Sequence, residues 1–322
     1  MNHVILKKLL FFAVLFLLAT LFSMEARAEK RIGVLLFSEE KRYHETVKGI
    51  MDELEKNGFA EPAVNYTITN AEGSKARAAK LAQEFAAAKM DLIIALGTSA
   101  AIAVEREIKD VPVVFSMVHD PVEANIAEDW QSSGNNTTGT SPNYPMSQLV
   151  SNLKQLTPLK KLAVLYTRHE QNSESQLKAI QKIALNFQIE VIPVPLNSKE
   201  DVAQIIPAVT RTVDAMYLSG SIVVASTAAM IAAIATKAKV VTVSRTEDLV
   251  EKGVLLGVYA DPLQIGRLAG QKAVMILKGT KPSSIPIEKT KKVNLIINMK
   301  TARDGGFQIP PAFMKKVTKT IE

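Results

Sequence analysis

The stretch LIIALGTSAAIAVE, residues 92–105, runs an apolar segment into Gly97, then into the hydroxyls of Thr98 and Ser99 and an alanine-rich segment of helical character. Similar junctions recur along the chain. VPVVFSMVHDP ends with Ser116 and Asp120, KLAVLYTRHEQNSES with Asn172 and Ser173, DAMYLSGS with Ser219 and Ser221, and GVYADP with Asp261. Where a strand of an open parallel sheet gives way to a helix, the helix N-terminus presents unpaired N–H groups and partial positive charge, and ligands gather there. Hydroxyls and N–H groups suit a carboxylate, whereas an aspartate suits an ammonium group, so the set as a whole suits a zwitterion. Each member also has a local use. Thr98, Asn172 and Ser198 are good helix N-caps, Ser198 with Asp201 has the spacing of a relaxed capping box, and Asp120 and Asp261, each followed by proline, suit turns or N-caps. The case for a binding site rests on the convergence of these groups at strand ends.

Bond-making chemistry finds little support. ALGTSAA lacks the Gly-Lys-Ser/Thr ending of a phosphate loop, no G-x-G-x-x-G follows a strand, and no G-x-S-x-G turn presents Ser99 as a nucleophile. Beyond residue 28 the histidines are His44, His119 and His169, and none has metal-ligand spacing; His119 beside Asp120 would form a proton-transfer pair only if the backbone turned them together. The chain has no cysteine, hence neither a thiol nucleophile nor a disulfide framework. Packing alone must hold the fold.

The elements that would position these residues follow from periodicity. The β-rich runs RIGVLLF, AVNYTIT, DLIIALG and VPVVFSM alternate with helix-like segments at 43–56, 74–89 and 98–109; in the first, Val47, Ile50, Met51 and Leu54 recur at steps of three and four. The pattern restarts with KLAVLYT, EVIPVPL, DAMYLSG and KVVTVS, alternating with helical segments near 173–187, 199–210 and 223–238. Such alternation predicts α/β architecture with parallel sheets covered on both faces, and two successive sets predict two lobes. GNNTTGTSPNYP, residues 134–145, reads as the boundary because glycine, asparagine, proline and hydroxyl residues displace the apolar period. The late segments GVLLGVYADPLQIGRLAGQKAVMILKG and VNLIIN would return to lobe one and then lobe two. Lobe one then comprises 29–140 with about 260–288, and lobe two 141–259 with about 289–322. At the N-terminus, Lys7 and Lys8 precede an apolar run that ends in Ala26-Arg27-Ala28, the layout of a secretory signal cleaved after Ala28 rather than of a membrane anchor. Cleavage would leave 294 residues and lower the formal net charge from +7 to +5. That mild excess, without a dense basic tract interleaved with aromatics, is not a nucleic-acid footprint.

ALGTSAAIAVEREIKDVPVVFSMVHDPVEANI, followed by NNTTGTS, closely resembles the ABC-transporter substrate-binding family that includes tryptophan- and tyrosine-type binding proteins. The family's ordered hallmark is a strand, G-T-[PS]-A-A, a helix, [IV]-P-[IV]-V-F, a D-P-V turn and N-x-T-G. KLAVLY, DAMYL, IGRLAGQKAVMILKGTKPSSIPIE and LIINMKTARDGGFQIP extend the resemblance over nearly all of the chain beyond residue 28. It implies a type I periplasmic binding protein fold, two Rossmann-like parallel-sheet lobes joined by a three-strand hinge. It also implies reversible binding, without cofactor or metal, of a small solute such as an amino acid for delivery to an inner-membrane permease, by a periplasmic monomer. On this resemblance Thr98, Ser99, Ser116 and Asp120 line the first-lobe wall, and Asn172, Ser173 and Asp261 complete the opposite side and hinge edge. Ser38 at the first strand exit, Ser219 and Tyr144 in the boundary stretch complete the candidate ligand-binding set. Two departures bear on the ligand: SEEKRYH replaces a more apolar first exit, and Ser221 stands where many members carry aspartate or asparagine. A periplasmic sensing subunit would use the same cleft. A secreted hydrolase would need a nucleophile and base that the sequence lacks, and a transcription regulator a DNA-binding head where this chain has a signal-like segment.

Overall fold

The structure, a computed structural model, describes residues 29–142, 145–290 and 293–322. The expected signal segment and Tyr144 lie outside them. Two sheets form. The first takes β1 (Lys30–Leu36), β2 (Val64–Asn70), β3 (Leu92–Leu96), β4 (Val113–Ser116), β5 (Thr137–Ser141) and β11 (Glu288–Lys289), all parallel, in the order β11-β5-β4-β3-β1-β2. Its helices are α1 (Lys41–Lys56), α2 (Lys75–Ala87) and α3 (Thr98–Glu107). The second sheet takes β6 (Lys161–Tyr166), β7 (Glu190–Pro195), β8 (Ala215–Leu218), β9 (Val241–Ser244), β10 (Leu256–Tyr259), β12 (Asn294–Asn298) and β13 (Lys319–Ile321), in the order β13-β12-β10-β9-β8-β6-β7. With it go α4 (Met146–Leu153), α5 (Gln171–Phe187), α6 (Lys199–Val209), α7 (Ile222–Lys237), α8 (Glu247–Glu251), α10 (Met299–Gly305) and α11 (Pro311–Met314), while α9 (Pro262–Leu277) returns to the first sheet.

Strands buried on both faces carry unbroken apolar runs, as LIIAL of β3 does, with every residue buried. The period of two divides the second lobe into a core on each face of its sheet: Leu162 and Val164 of β6 join one, Ala163 and Leu165 the other. The chain passes between the sheets three times, after β5, after β10 and after β11. Because β10 ends at this hinge and β12 starts from it, β12 must run opposite to β10, and Tyr259 pairs with Asn294 in the one antiparallel ladder among the described strands.

The boundary stretch 134–145 includes the strand β5, which pairs with β4 through Val113 with Thr137 and Phe115 with Gly139, and the chain leaves the first sheet after it. Its polarity misleads because its hydroxyls are buried and satisfied: Thr138 donates to the Ile285 carbonyl, Ser141 to the His119 carbonyl, and Thr140 pairs with Ser116 at 2.9 Å. A side chain on Gly139 would strike the Phe115 carbonyl, so only glycine fits there.

Helix α9 packs on α1 through glycines. A Cβ on Gly49 would lie 2.2 Å from the Leu263 carbonyl oxygen, and one on Gly266 2.1 Å from the Thr46 carbonyl oxygen. This backbone-to-backbone approach fixes α1, whose first turn faces the space between the lobes. Replacing a mid-helix glycine by alanine ordinarily stabilises by about 1 kcal/mol. Here Gly266→Ala is expected to destabilise instead, by about 2–3 kcal/mol from overpacking, as chemical unfolding would measure; a stabilised variant would refute the close contact.

Candidate ligand-binding site

A cavity lies between the lobes and opens to solvent at its mouth. The first lobe contributes Arg42 and Tyr43 from α1, Thr98 from α3, and Met117 and His119 after β4; the second contributes Asn172 and Gln176 from α5, Gly220 after β8, and Arg245 to Asp248 after β9. Pro142, Tyr259, Ala260 and Pro262 come from the crossings. A small recess adjoins it, sharing Tyr43, Thr98, Asn172 and Gly220 and adding Phe37, Glu40, Ser99, Glu170 and Ile222. The lobes touch around this space: Lys41 meets Glu251 at 2.5 Å, Lys178 meets Glu123 at 2.7 Å, and Lys75 donates to the His169 carbonyl.

The junction Gly97-Thr98-Ser99 leaves the start of α3 without a side-chain cap. Gly97 is the N-cap of α3 with φ +95°, a conformation that disfavours other residues, and a Cβ there would meet the Tyr43 hydroxyl at 2.5 Å. A glycine cap supplies no side chain, and the N–H groups of Thr98, Ser99 and Ala100 find no acceptor among the described residues. Thr98 Oγ1 is buried without a partner. On the opposite wall Asn172 donates to the Gly220 carbonyl at 2.9 Å, leaving Oδ1 buried and unpartnered. Neither residue caps a helix, since Gly97 and Glu170 occupy those positions. Ser198, by contrast, forms the expected capping box with Asp201.

Other candidate residues are placed differently. Ser99 lines the small recess. Ser116, fully buried, is taken by Thr140; Ser38 donates to Glu40 at 2.8 Å; Ser173 bonds the Thr167 and Glu170 carbonyls. Ser219 is fully buried beside Gly220 with Oγ unpartnered, yet lines neither cavity. Asp120 accepts from the N–H groups of Val122 and Glu123, and Asp261 caps α9 through Leu263 and Gln264, so both carboxylates are turned to local backbone and line neither cavity. Tyr144 lies outside the described residues.

Sequence reasoning missed Arg42, Glu170 and Arg245. The run KVVTVS was recognisable as a strand, and a search of its end would have reached Arg245. In the structure Arg245 donates to the Pro142 carbonyl at 2.8 Å and to His119 Nδ1 at 3.0 Å. A guanidinium only donates, so His119 must be neutral with its proton on Nε2. Burial and the charges of Arg245 and Lys289 hold its pKa well below the ordinary value, in keeping with that tautomer. Arg42 lies 2.6 Å from Glu40 and over the Tyr43 ring, with Nε buried and unpartnered. Met117 adopts φ +58°, a strain of the kind that collects at ligand clamps.

A model of ABC transporter substrate binding proteins matches residues 31–321. The chain belongs to this family. It is 27% identical over 281 residues to the tyrosine-binding protein of Clostridioides difficile strain R20291, covering 87% of this chain and 81% of that one. The crystal structure of an ABC domain in complex with L-Trp from Streptococcus pneumonia superposes with a TM-score of 0.86 at 29% identity, covering 91% of this chain and all of the other. The ligand-free, open structure of a substrate binding protein with adhesive properties from Clostridium difficile gives 0.73 at 27% identity, covering 91% and 100%. The two-lobe arrangement is the type I periplasmic binding fold, shared by solute-binding proteins only 13–14% identical. Members of the family are extracytoplasmic, and no helix among the described residues is long and apolar enough to cross a membrane.

In this substrate-binding protein Glu170 is a buried carboxylic acid with a raised pKa. It is 8% exposed, and both its oxygens accept from the Ile222 N–H at 3.2 Å. Burial, with Glu40 adding to it, raises its pKa to about 7 against the opposing pull of the Ile222 N–H, Lys75 and Arg42. A group whose pKa rises on folding stabilises the fold fully below its unfolded value, and that contribution is lost as pH rises through the folded value. The stability of the wild type relative to Glu170→Gln is therefore expected to fall by on the order of 2–3 kcal/mol between about pH 4.5 and pH 7. Urea unfolding of both proteins across that window measures it, and parallel curves would contradict the assignment.

Proposed function

We propose that this protein is the solute-binding component of an ABC importer, and that it binds an amino acid zwitterion in the interlobe cavity, closes its lobes over it and presents it unchanged to an inner-membrane permease. The observation that carries this reading is the pairing of unpartnered buried groups across the cleft: Thr98 Oγ1 and the uncapped α3 N-terminus on one wall, Asn172 Oδ1 on the other. Buried polar groups without partners are costly, so a ligand that satisfies both walls favours the closed arrangement. Moving a population from mostly open to mostly closed takes about 5 kcal/mol of differential affinity, and a few charge-assisted hydrogen bonds at about 1.5–3 kcal/mol each reach that figure.

The tyrosine and L-Trp in the names of the two relatives support an amino acid as the ligand class. The closer superposition on the L-Trp complex than on the open structure, at nearly equal identity, supports closure. No bond chemistry is assigned: Ser99 and His119 are not set as nucleophile and base, since His119 Nδ1 is occupied by Arg245. On this reading the chain acts in the periplasm as a monomer after cleavage behind Ala28, without cofactor or nucleic acid.

A thermal-shift screen of residues 29–322 against the twenty amino acids tests the reading, since stabilisation grows with concentration over dissociation constant. L-tyrosine or L-tryptophan is expected to raise the melting temperature, and Thr98→Val to weaken that ligand by about tenfold or more with little change in apo stability. Failure of every amino acid to stabilise the wild type would refute it.

A further inference from the structure

The lobes also meet along a seam beside the cavity. Gly73, after β2, leaves space for Ile222 at the start of α7: a Cβ on Gly73 would lie 3.4 Å from Ile222 Cδ1, and Ile222 packs against the first-lobe core. Gly220, after β8, leaves space for Arg42 of α1, whose Nη1 would lie 3.0 Å from a Cβ there. Lys75, at the start of α2, donates to the His169 carbonyl. At this seam the recess brings Glu40 of the first lobe and Glu170 of the second together, with room for about one water molecule. Glu40 is answered from its own side: Ser38 donates to Oε1 at 2.8 Å, and Arg42 lies 2.6 Å from Oε2. The groups that face Glu170 are Glu40, the N-cap of α1, with Arg42 and the buried Tyr43 hydroxyl of that helix, Lys75 of α2, the hydroxyls of Thr98 and Ser99 of α3, and the Ile222 N–H of α7. Of the two cations, Arg42 is paired with Glu40 and Lys75 with a carbonyl. An ionised Glu170 therefore has one backbone N–H, shared between its two oxygens, to hold its charge. A protonated Glu170 has in the same recess a buried acceptor without a donor, Asn172 Oδ1.

We infer that this seam is a proton-operated latch: Glu170 takes up a proton as the lobes close, so acid favours the closed arrangement and alkali the open one. The inference rests on the reading that the lobes open and close, and on no particular ligand. When they part, Glu40, Arg42 and Tyr43 leave with the first lobe and water reaches Glu170, whose carboxyl then titrates near its ordinary value of 4.5. In the closed seam, burial and the facing Glu40 raise that value to about 7. Closure thus favours the neutral carboxyl. The contribution is fully present below the open-state value and is lost as pH rises through the closed-state value. A solute that binds by closing the lobes is accordingly held more tightly in acid than in alkali.

The chain has no cysteine, so residues 29–322 carrying Lys80→Cys on α2 and Lys199→Cys on α6, both exposed, take a fluorophore pair with one dye on each lobe. Energy transfer between the dyes reports the distance between the lobes. Without added ligand, the ratio of closed to open molecules is expected to fall on the order of 100-fold from about pH 5 to about pH 8. Glu170→Gln, a permanently neutral side chain of the same shape, should hold the acid ratio throughout, which separates Glu170 from other titrating contacts such as His119 with Arg245. Glu40→Gln should flatten the dependence as well, because it removes the facing charge and frees Arg42 for Glu170. Addition of L-tryptophan or L-tyrosine at about pH 7 tells failure of the latch from failure of the closure reading. A distance that responds to an amino acid but not to pH, or a Glu170→Gln protein that keeps the full pH dependence, overturns the latch alone. A distance that responds to neither overturns both.

Discussion

Helices α1 and α9 meet backbone to backbone at Gly49 and Gly266, and much of the site depends on that contact. Helix α9 follows the second crossing of the hinge, so its seat on α1 ties the hinge to the first lobe. Helix α1 in turn begins at Lys41, and its first turn carries Arg42 and Tyr43 to the cleft. Tyr43 then closes against Gly97, where no larger residue fits, and so sets the wall beside Thr98. Interiors are packed densely enough that a displacement at the glycine contact would be passed along this chain of neighbours rather than absorbed.

The second constraint is electrostatic. Around the cleft most charges are answered locally: Arg42 by Glu40, Lys41 by Glu251, Arg245 by the Pro142 carbonyl and His119. Buried atoms without partners remain on both walls, Arg42 Nε and Thr98 Oγ1 on one and Asn172 Oδ1 on the other. An empty closed cleft therefore holds unpaired buried polar groups, whose cost a zwitterion touching both lobes would remove. On the proposed reading binding strength and closure have one origin, because contacts to both walls cannot form when the lobes are apart.

Local competition explains why several polar residues at strand ends do not line the cavities. A carboxylate followed by proline and a free backbone N–H has a partner one or two residues away, and Asp120 and Asp261 take it. Ser116 and Ser173 likewise satisfy themselves on neighbouring strand and loop atoms. Thr98 and Asn172 escape because Gly97 and Glu170 stand at the cap positions.

Much of the architecture was legible in the sequence. The alternation of apolar runs with helical periods determined the α/β class, the two lobes and the seven described helices of ten or more residues, because burial on both faces of a parallel sheet favours that pattern. Ser198 with Asp201 announced its own capping box, and Gly97-Thr98-Ser99 marked the cleft, since both signals are written in adjacent residues. The strand β5 was hidden because its hydroxyls are satisfied by residues as far away as Ile285. Only the tertiary structure could gather Arg42, Glu170 and Arg245 around one space, and only it could separate hydroxyls that face the cavity from those spent on nearby backbone. Side-chain direction and the competition for hydrogen-bond partners depend on atoms distant in sequence, and periodicity carries no record of them.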